Sequence, residues 1–595
     1  MKRLISKGKM LVNEQKLPNL PLEPLEITLQ RYYNSLLPIL SPHELSLTQK
    51  AIQETLKSEG PKVHSALKEK NTKYRNHTTQ WWADKTYLSV RDSTAVYSNF
   101  YGVINCGKPF LGAKDYCEAA GLFVYGALKY KQLVDSEAIE PEYLGQFPMS
   151  MIQYKRVFGV TRMPKKDIDM LKRSQNPSNI AVLRNNHIFL VPAYDSEGNL
   201  FSPATYVEMF RNVVDQTYSE ETYPLAMMTY DKRPHWAEFR SRMEDISPKN
   251  AQNLDSIDSS VFSVSLSDKS FEDLSELSYD IYMGDAKDKW IDKSLHVVFY
   301  RDCKGGFQAE HSSAEGVVFR NMIEYIEGCF NEGVDQSLPT VKEVTKLSFE
   351  YDKHLKESMK KAEERVLEEC SDRQVKVSIL PFGKYLAKET GVLRPDSFVQ
   401  LSYQLAWYNN FGEVPVTYET AITRAFYEGR TDNVRVCSKE TLEMCRVLSN
   451  PEVTCNEAKL KAVKKAGDKH SELIKMSMSG KGIDRPLWAH MCQAEEMGIE
   501  LPVFKDPAWE KSCGFVLYTS NLGDSETFIG YAAKDPGGIT SCYTIQDEWS
   551  IHNASTFKKA PKINSSKWTR SVHLACEQLA SVIRSADRLP SLSKS

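Results

Sequence analysis

Hydrophobic positions recur along this chain with two periods, one helical and one strand-like, and they divide it into stretches of different character. After a segment rich in proline and leucine, Leu17–Pro24, the pattern predicts a helix from Leu25 to about Leu37 and a second from Ser41 to Ser58. The chain then turns polar around Tyr74–Gln80 and reaches Trp81-Trp82, where a domain crossing is placed. From about 110 to 350, helical and strand-like segments alternate. Val182-Leu183 and Ile188–Val191 flank Arg184-Asn185-Asn186 as the arms of a hairpin, and Val261–Leu266 alternates apolar and small residues as a half-buried strand does. His296–Tyr300 and Phe307–His311 read as paired strands joined by a turn at Cys303-Lys304-Gly305-Gly306. His354 to Asp372 is amphipathic, with Leu355, Met359, Ala362, Val366, Leu367 and Cys370 on one face. Pro395 stands at a favourable first-turn position for a further helix, Asp396 to Asn409.

A chain of 595 residues is too long for one hydrophobic core, so more than one domain is expected. The net charge of −2 removes any global electrostatic pull toward nucleic acid, and an anion site would have to be a local basic patch. Twelve cysteines are scattered without Cys-x-x-Cys spacing, which predicts reduced thiols inside a cell. No apolar run approaches the roughly 20 residues that span a bilayer; a peripheral contact through a modest apolar patch is left open. Lys2, Arg3, Lys7 and Lys9 precede the first acid, Glu14, as in a mitochondrial presequence or a solvated basic tail. The C-terminal Ser593-Lys594-Ser595 is not a peroxisomal signal. A mitochondrial location is favoured, with the cytoplasm as the alternative.

Dinucleotide, phosphate-loop, nucleophile-elbow and zinc-hydrolase motifs are all missing, and no His/Cys cluster has metal-ligand spacing. What remains is chemistry without a metal, driven by one general base. His311 is the candidate: one imidazole beside a turn, with Glu315 four residues on to support its charged form. A structural histidine has the same local signature. Lys384 and Lys388 share one helical face after Gly383 and could grip a phosphate, although a solvated lysine pair has that spacing too.

Several ordered motifs together resemble the carnitine/choline acyltransferase family, from Leu17-Pro18-Asn19-Leu20-Pro21 to beyond Tyr543. They are Trp81-Trp82 with Tyr87, Trp290-Ile291-Asp292-Lys293-Ser294, the Glu310-His311 segment, Phe382-Gly383-Lys384 with Lys388, and Pro395-Asp396-Ser397-Phe398-Val399-Gln400-Leu401. Thr417-Tyr418-Glu419, Gly429-Arg430-Thr431-Asp432, Gly482-Ile483-Asp484-Arg485 and Leu517-Tyr518-Thr519-Ser520 complete the set. The resemblance implies an α/β fold of two related chloramphenicol-acetyltransferase-like domains with an interdomain active-site tunnel. It divides the chain into a basic tail (1–16), a helical segment packing with the C-terminal domain (17–72), an N-terminal domain carrying the histidine (73–350) and a C-terminal domain (351–595).

The implied activity is reversible acyl transfer between coenzyme A and carnitine, with coenzyme A and acyl-CoA as substrates, no resident cofactor, no metal and no acyl-enzyme. A monomer is expected. His311 would be the base, Glu315 its supporting carboxylate and Ser520 the oxyanion donor. Lys384, Lys388 and Asp396 would contact coenzyme A. Tyr418, Thr431 and Arg485 would hold the carnitine carboxylate, with Trp82 and Tyr87 as aromatic walls. Three positions depart from the family pattern: Tyr518 and Arg394 replace serines, and Pro486 replaces a histidine. Thr527 stands where methionine accompanies acetyl specificity and glycine longer chains, so medium or long chains are favoured. The rivals are a choline acetyltransferase, which Arg485 and Thr431 disfavour, and a non-catalytic acyl-CoA or carnitine binder.

Overall fold

A computed structural model describes residues 8–217, 222–331, 337–340 and 342–585. Two mixed sheets organise them. Their strands, in chain order, are β1 (Phe100–Val103), β2 (Asn179–Arg184), β3 (His187–Pro192), β4 (Ser263–Ser267), β5 (Leu295–Tyr300), β6 (Gly305–Ala309), β7 (Thr345–Leu347), β8 (Arg373–Leu380), β9 (Thr417–Ile422), β10 (Thr431–Val434), β11 (Leu517–Asn521), β12 (Phe528–Gly530), β13 (Ile539–Ile545) and β14 (Ser550–Phe557). The larger sheet runs β7-β3-β2-β4-β5-β6-β1-β12 and the smaller β8-β14-β13-β11-β9-β10.

The two sheets share one plan. In each, the first strand in sequence lies antiparallel beside a late one (β1 on β6, β8 on β14), and that strand is antiparallel to its predecessor (β5, β13). Two parallel pairings follow (β5-β4-β2 and β13-β11-β9), and an antiparallel strand closes each series (β3, β10). The α/β expectation of two related units is met at the level of strand order and direction. Helices occupy matching places: Tyr116–Asp135 follows β1 and packs on Gly316–Gly328, which follows β6, while Pro395–Phe411 follows β8 and packs on Ser565–Arg584, which follows β14. Two strands break the symmetry: β7 extends the larger sheet beyond β3, and β12 joins it from the other half of the chain. β12 lies between β11 and β13 in sequence, yet it leaves their sheet and pairs with β1, Ile529 opposite Gly102. The chain from the second half thereby seals the edge of the first.

Local sequence accounts for most element boundaries. Ser41 starts the helix Pro42–Lys57 with a capping box: Glu44 N donates to Ser41 Oγ (3.3 Å) and Ser41 N to Glu44 Oε2 (2.7 Å). The 185–186 turn works because Asn185 and Asn186 both adopt left-handed φ (49° and 65°). Helices Leu25–Leu36, Pro42–Lys57 and Gly60–Lys73 bury Leu25, Leu29, Tyr32 and Val63 against Ile483 and Leu487, and so brace the helix Asp484–Glu496 that carries Arg485.

Three expectations need correction. The turn before His311 is Arg301–Cys303, with Cys303 at φ 62°, while Gly305 and Gly306 lie inside β6. Those glycines serve close packing: a Cβ on Gly306 would meet Ile281 Cδ1 at 2.2 Å, and one on Gly305 would meet Phe299 Cε1 at 2.6 Å. His311 itself lies past the end of the strand. Leu367 sits 37% exposed, off the buried face of the helix Lys353–Ser371. Residues 8–16, expected within a basic tail, lie against the protein: Met10 is buried in the main core, and Glu14 accepts from Ser150 Oγ (2.8 Å) and Met151 N (3.0 Å). Lys2, Arg3 and Lys7 fall outside the described residues, as does the C-terminal tripeptide.

Candidate active site

The chain turns sharply on leaving β6. Glu310 accepts from Ser312 N (3.2 Å) and Ser312 Oγ (2.5 Å), and Ser313 Oγ donates to Glu310 O (2.7 Å). This turn presents His311 to a cavity of about 350 Å³ between the two sheets. Tyr87, Phe100 and Glu315 line it from the first half of the chain, and Tyr418, Thr431 and Ser520 from the second.

Hydrogen bonding sets the tautomer of His311. Its Nδ1 lies 3.2 Å from Ala314 O, an acceptor only, so Nδ1 carries the proton and Nε2 keeps its lone pair. Nε2 is 3.7 Å from Glu315 Oε2. The rings of Tyr87 and Phe100 pack on the imidazole with centroids 5.2 and 5.0 Å away. Burial pushes the His311 pKa down, Glu315 pulls it up and the nearby Arg430 pushes it down again; the net direction is below the ordinary value. Burial raises Glu315, but Arg430 and His311 more than offset it, so its carboxyl stays below the usual range.

Arg430 was visible only as a letter of a quoted motif, and the fold shows what it does. Its Nε donates to Glu315 Oε1, its Nη1 to Ser312 O and its Nη2 to His311 O, each at 2.7 Å. Its guanidinium also lies 5.0 Å from the Tyr87 ring centroid. A residue from the loop between β9 and β10 therefore clamps the turn that carries His311. Nothing in the local sequence marks this role, because its partner Glu315 lies 115 residues away.

Thr431 and Trp82 wall both the main cavity and a smaller adjoining recess of about 30 Å³, and Arg485 lines that recess. Arg485 stacks 3.5 Å over the Trp82 ring and donates from Nε to Thr431 O (2.9 Å), while its backbone N donates to Asp432 Oδ1 (3.0 Å). Among the described residues, its buried Nη2 and the buried Trp82 indole N–H find no hydrogen-bond acceptor. A buried guanidinium nitrogen without an acceptor costs free energy that an incoming carboxylate would recover.

Lys384, Lys388 and Asp396 do not line the cavity. Lys384 opens the helix Lys384–Thr390, is ion-paired with Asp524 and has Asp547 at 3.9 Å; Lys388, one turn on, is exposed. Asp396 accepts from Tyr543 Oη (2.7 Å) and from Asn521 Nδ2 (2.8 Å), and Asn521 does line the cavity. Asp396 also belongs to a buried group with Glu419 and His470, whose Nε2 is 2.9 Å from Glu419 Oε2 and whose Nδ1 is 2.8 Å from Ser397 Oγ. Burial raises Glu419 to about 7. Ser397, His470 and Glu419 thus form a hydrogen-bonded chain beside Asp396.

The departures from the family pattern have physical places. Arg394 precedes the helix Pro395–Phe411 and makes no side-chain cap. Tyr518 enters the cavity wall and packs on Phe515 and Tyr418, centroids 6.0 and 6.1 Å away. Pro486 lines the smaller recess beside Arg485.

Comparison with known proteins agrees with this architecture. Residues 20–574 match the family model for choline/carnitine O-acyltransferases. The chain is 29% identical to human peroxisomal carnitine O-octanoyltransferase, over 96% of this chain and 97% of the relative. It is 26% identical to rat carnitine O-acetyltransferase (98% and 96% covered) and 26% identical to mouse mitochondrial carnitine O-palmitoyltransferase 2 (91% and 89%). These names span two compartments, so kinship does not select the mitochondrial one; among the described residues no helix is long and apolar enough to cross a membrane. The chain belongs to the choline/carnitine O-acyltransferase family and is an acyltransferase.

Proposed function

We propose that this chain moves a fatty acyl group reversibly between coenzyme A and the hydroxyl of carnitine. The observation that carries this reading is one cavity holding His311, Glu315, Tyr418, Thr431 and Ser520 beside Arg485, whose buried Nη2 has no acceptor among the described residues. His311 Nε2 takes the hydroxyl proton as the oxygen attacks the thioester carbonyl. Ser520 donates to the tetrahedral oxyanion. The intermediate collapses, the C–S bond breaks, and His311 returns its proton to the leaving thiolate, so no acyl-enzyme forms. Glu315 stabilises the transient imidazolium, and Arg430 keeps Glu315 ionised and aimed. Tyr418, Thr431 and Arg485 hold the carboxylate of carnitine, with Trp82 and Tyr87 as aromatic walls. Lys384, Lys388 and Asp396 hold coenzyme A, whose phosphate displaces Asp524 from Lys384. Coenzyme A is a substrate here, and no resident cofactor enters the reaction. Both sheets around the cavity come from one chain, so a monomer would suffice for the reaction.

Medium or long acyl chains are favoured over acetyl. Phe100, Val317, Leu522 and Ile529 give the cavity an apolar wall, and Thr527 is small and buried, its Oγ1 accepting from Asn105 N at 3.4 Å. The test is thiol release from acetyl-, octanoyl- and palmitoyl-CoA with carnitine or choline as acceptor. Carnitine-dependent release, fastest with a longer chain and abolished in His311→Ala, is the expected result. Equal use of choline would overturn the role of Arg485, and tight acyl-CoA binding without turnover would make the chain a binder.

A further inference from the structure

Arg162 is fully buried in the short strand Val160–Met163, does not itself line the cavity and touches no group that reacts. Its guanidinium nevertheless reaches both sides of His311. Nη1 donates to Glu310 Oε1 (3.2 Å), the carboxylate that shapes the 310–313 turn. Nη2 donates to the backbone O of Tyr87 (2.7 Å), whose ring packs on the imidazole. Nη1 also lies 3.3 Å from Ser98 Oγ in the cavity wall, and Nε bonds Asp169 Oδ2 (2.8 Å). Asp169 is in turn held by Arg233 (2.6 Å) and Arg91 (3.0 Å), and Arg233 by Asp292 (2.7 Å). Three arginines and three carboxylates thus balance in a lattice that is buried except at the partly exposed Arg91. Such a lattice has one well-defined arrangement, because any slip leaves a charge buried and unpaired.

We propose that Arg162 is the positioning residue of the base: through Glu310 it fixes the turn that carries His311, and through the Tyr87 carbonyl it fixes the ring that packs on the imidazole. The inference rests on His311 being the base of the reaction proposed above. The charged and titratable groups around the imidazole are Glu310 and Glu315 from its own turn, Arg430 from the loop between β9 and β10, and Tyr87 from the segment Trp82–Leu88. Burial is the largest influence lowering the His311 pKa. A loosened Tyr87 admits water to the ring, and the imidazole then protonates more readily.

The test uses Arg162→Lys and Glu310→Gln in the full chain, with initial rates measured from pH 5 to 9 and normalised to folded protein. For both variants kcat is expected to fall by about tenfold with the KM for acyl-CoA within about twofold. In Arg162→Lys the acid limb of the kcat profile should also move toward higher pH. In Glu310→Gln the loss of a carboxylate that raises the imidazole pKa opposes that shift, so the kcat-against-KM split is the readout there. A merely structural role would lower the melting temperature and the folded fraction without moving that limb. Wild-type kcat per folded molecule with an unmoved limb overturns the inference. Should Arg162→Lys not fold, Glu310→Gln, which keeps the shape of the side chain, decides by kcat per folded molecule at unchanged KM: a roughly tenfold loss supports the inference and a wild-type kcat overturns it. If His311→Ala retains full activity, the base assignment fails instead, so the two failures are distinguishable.

Discussion

The cavity disfavours a charged imidazole, and its neighbours pull on His311 in opposite directions. The base must be neutral to accept a proton, and its pKa lies below the ordinary value because of burial and Arg430. Transfer from acyl-CoA to carnitine should therefore be flat above about pH 6.5 and fall as pH drops through the depressed pKa. Two variants should move that limb in opposite senses. Glu315→Gln removes the charge that favours imidazolium and shifts the limb to lower pH; Arg430→Gln removes a nearby cation and shifts it to higher pH. Both should lower kcat, and pH–rate profiles check the signs; shifts in the same direction would sink the electrostatic account. For Arg485→Gln, the KM for carnitine should rise by about a hundredfold, as expected on losing a charge-assisted fork, with a smaller effect on kcat. Initial rates against carnitine concentration read this out, and an unchanged KM removes Arg485 from the site. At this scale the sequence was readable wherever several motifs occurred in order. Arg430 and Arg162 were not legible, because their meaning lies in carbonyls and carboxylates distant in sequence.

Among elements, boundaries were readable where a local rule acts alone. Ser41 announces its helix through the capping box with Glu44, and Asn185-Asn186 announce a turn through their tolerance of positive φ. Gly305-Gly306 misled for an instructive reason: a glycine pair signals a turn or a close approach equally well, and only Ile281 and Phe299 on neighbouring elements decide for the latter. The basic N-terminus misled in the same way, because contacts distant in sequence bury Met10 and Glu14. Arg394 is a testable weak point. It occupies an N-cap position with extended φ/ψ (−76°, 149°) and offers no acceptor to the first turn of Pro395–Phe411. Arg394→Ser supplies one and should stabilise the protein by about 1 kcal/mol. Urea denaturation gives the sign directly. An unchanged or lowered midpoint would mean that Arg394 contributes something better than a cap, and the KM for coenzyme A would then be the place to look.

The whole molecule is a duplicated sheet plan joined by one exchanged strand, and no sequence repeat betrays it. Strand order depends on which hydrophobic segments pair, a property that survives after individual residues have diverged, so the duplication appears only in the registers. The joint is at β12. There Tyr101 of the larger sheet and Asn553 of the smaller are hydrogen-bonded (Oη to Oδ1 3.1 Å, Nδ2 to Oη 2.9 Å), and Asn553 Nδ2 also donates to Ile529 O (2.9 Å). Gly530 leaves room for this contact: a Cβ there would meet Asn553 Nδ2 at 2.4 Å and Tyr101 Oη at 2.5 Å. Both atoms are fully buried members of one hydrogen bond, so neither can retreat without leaving a polar group unsatisfied. Gly530→Ala should therefore cost about 1–3 kcal/mol, well beyond the gain in chain stiffness that alanine brings. Because the strained atoms belong to different sheets, the damage should appear as loosened coupling between them. Calorimetry should show a lower melting temperature with a broadened or split transition, and activity should fall in step, since His311 hangs from one sheet and Ser520 from the other. A wild-type melting curve for Gly530→Ala would mean that the sheets are held together elsewhere, and Arg430, whose guanidinium ties the β9–β10 loop to the His311 turn, would then carry the joint.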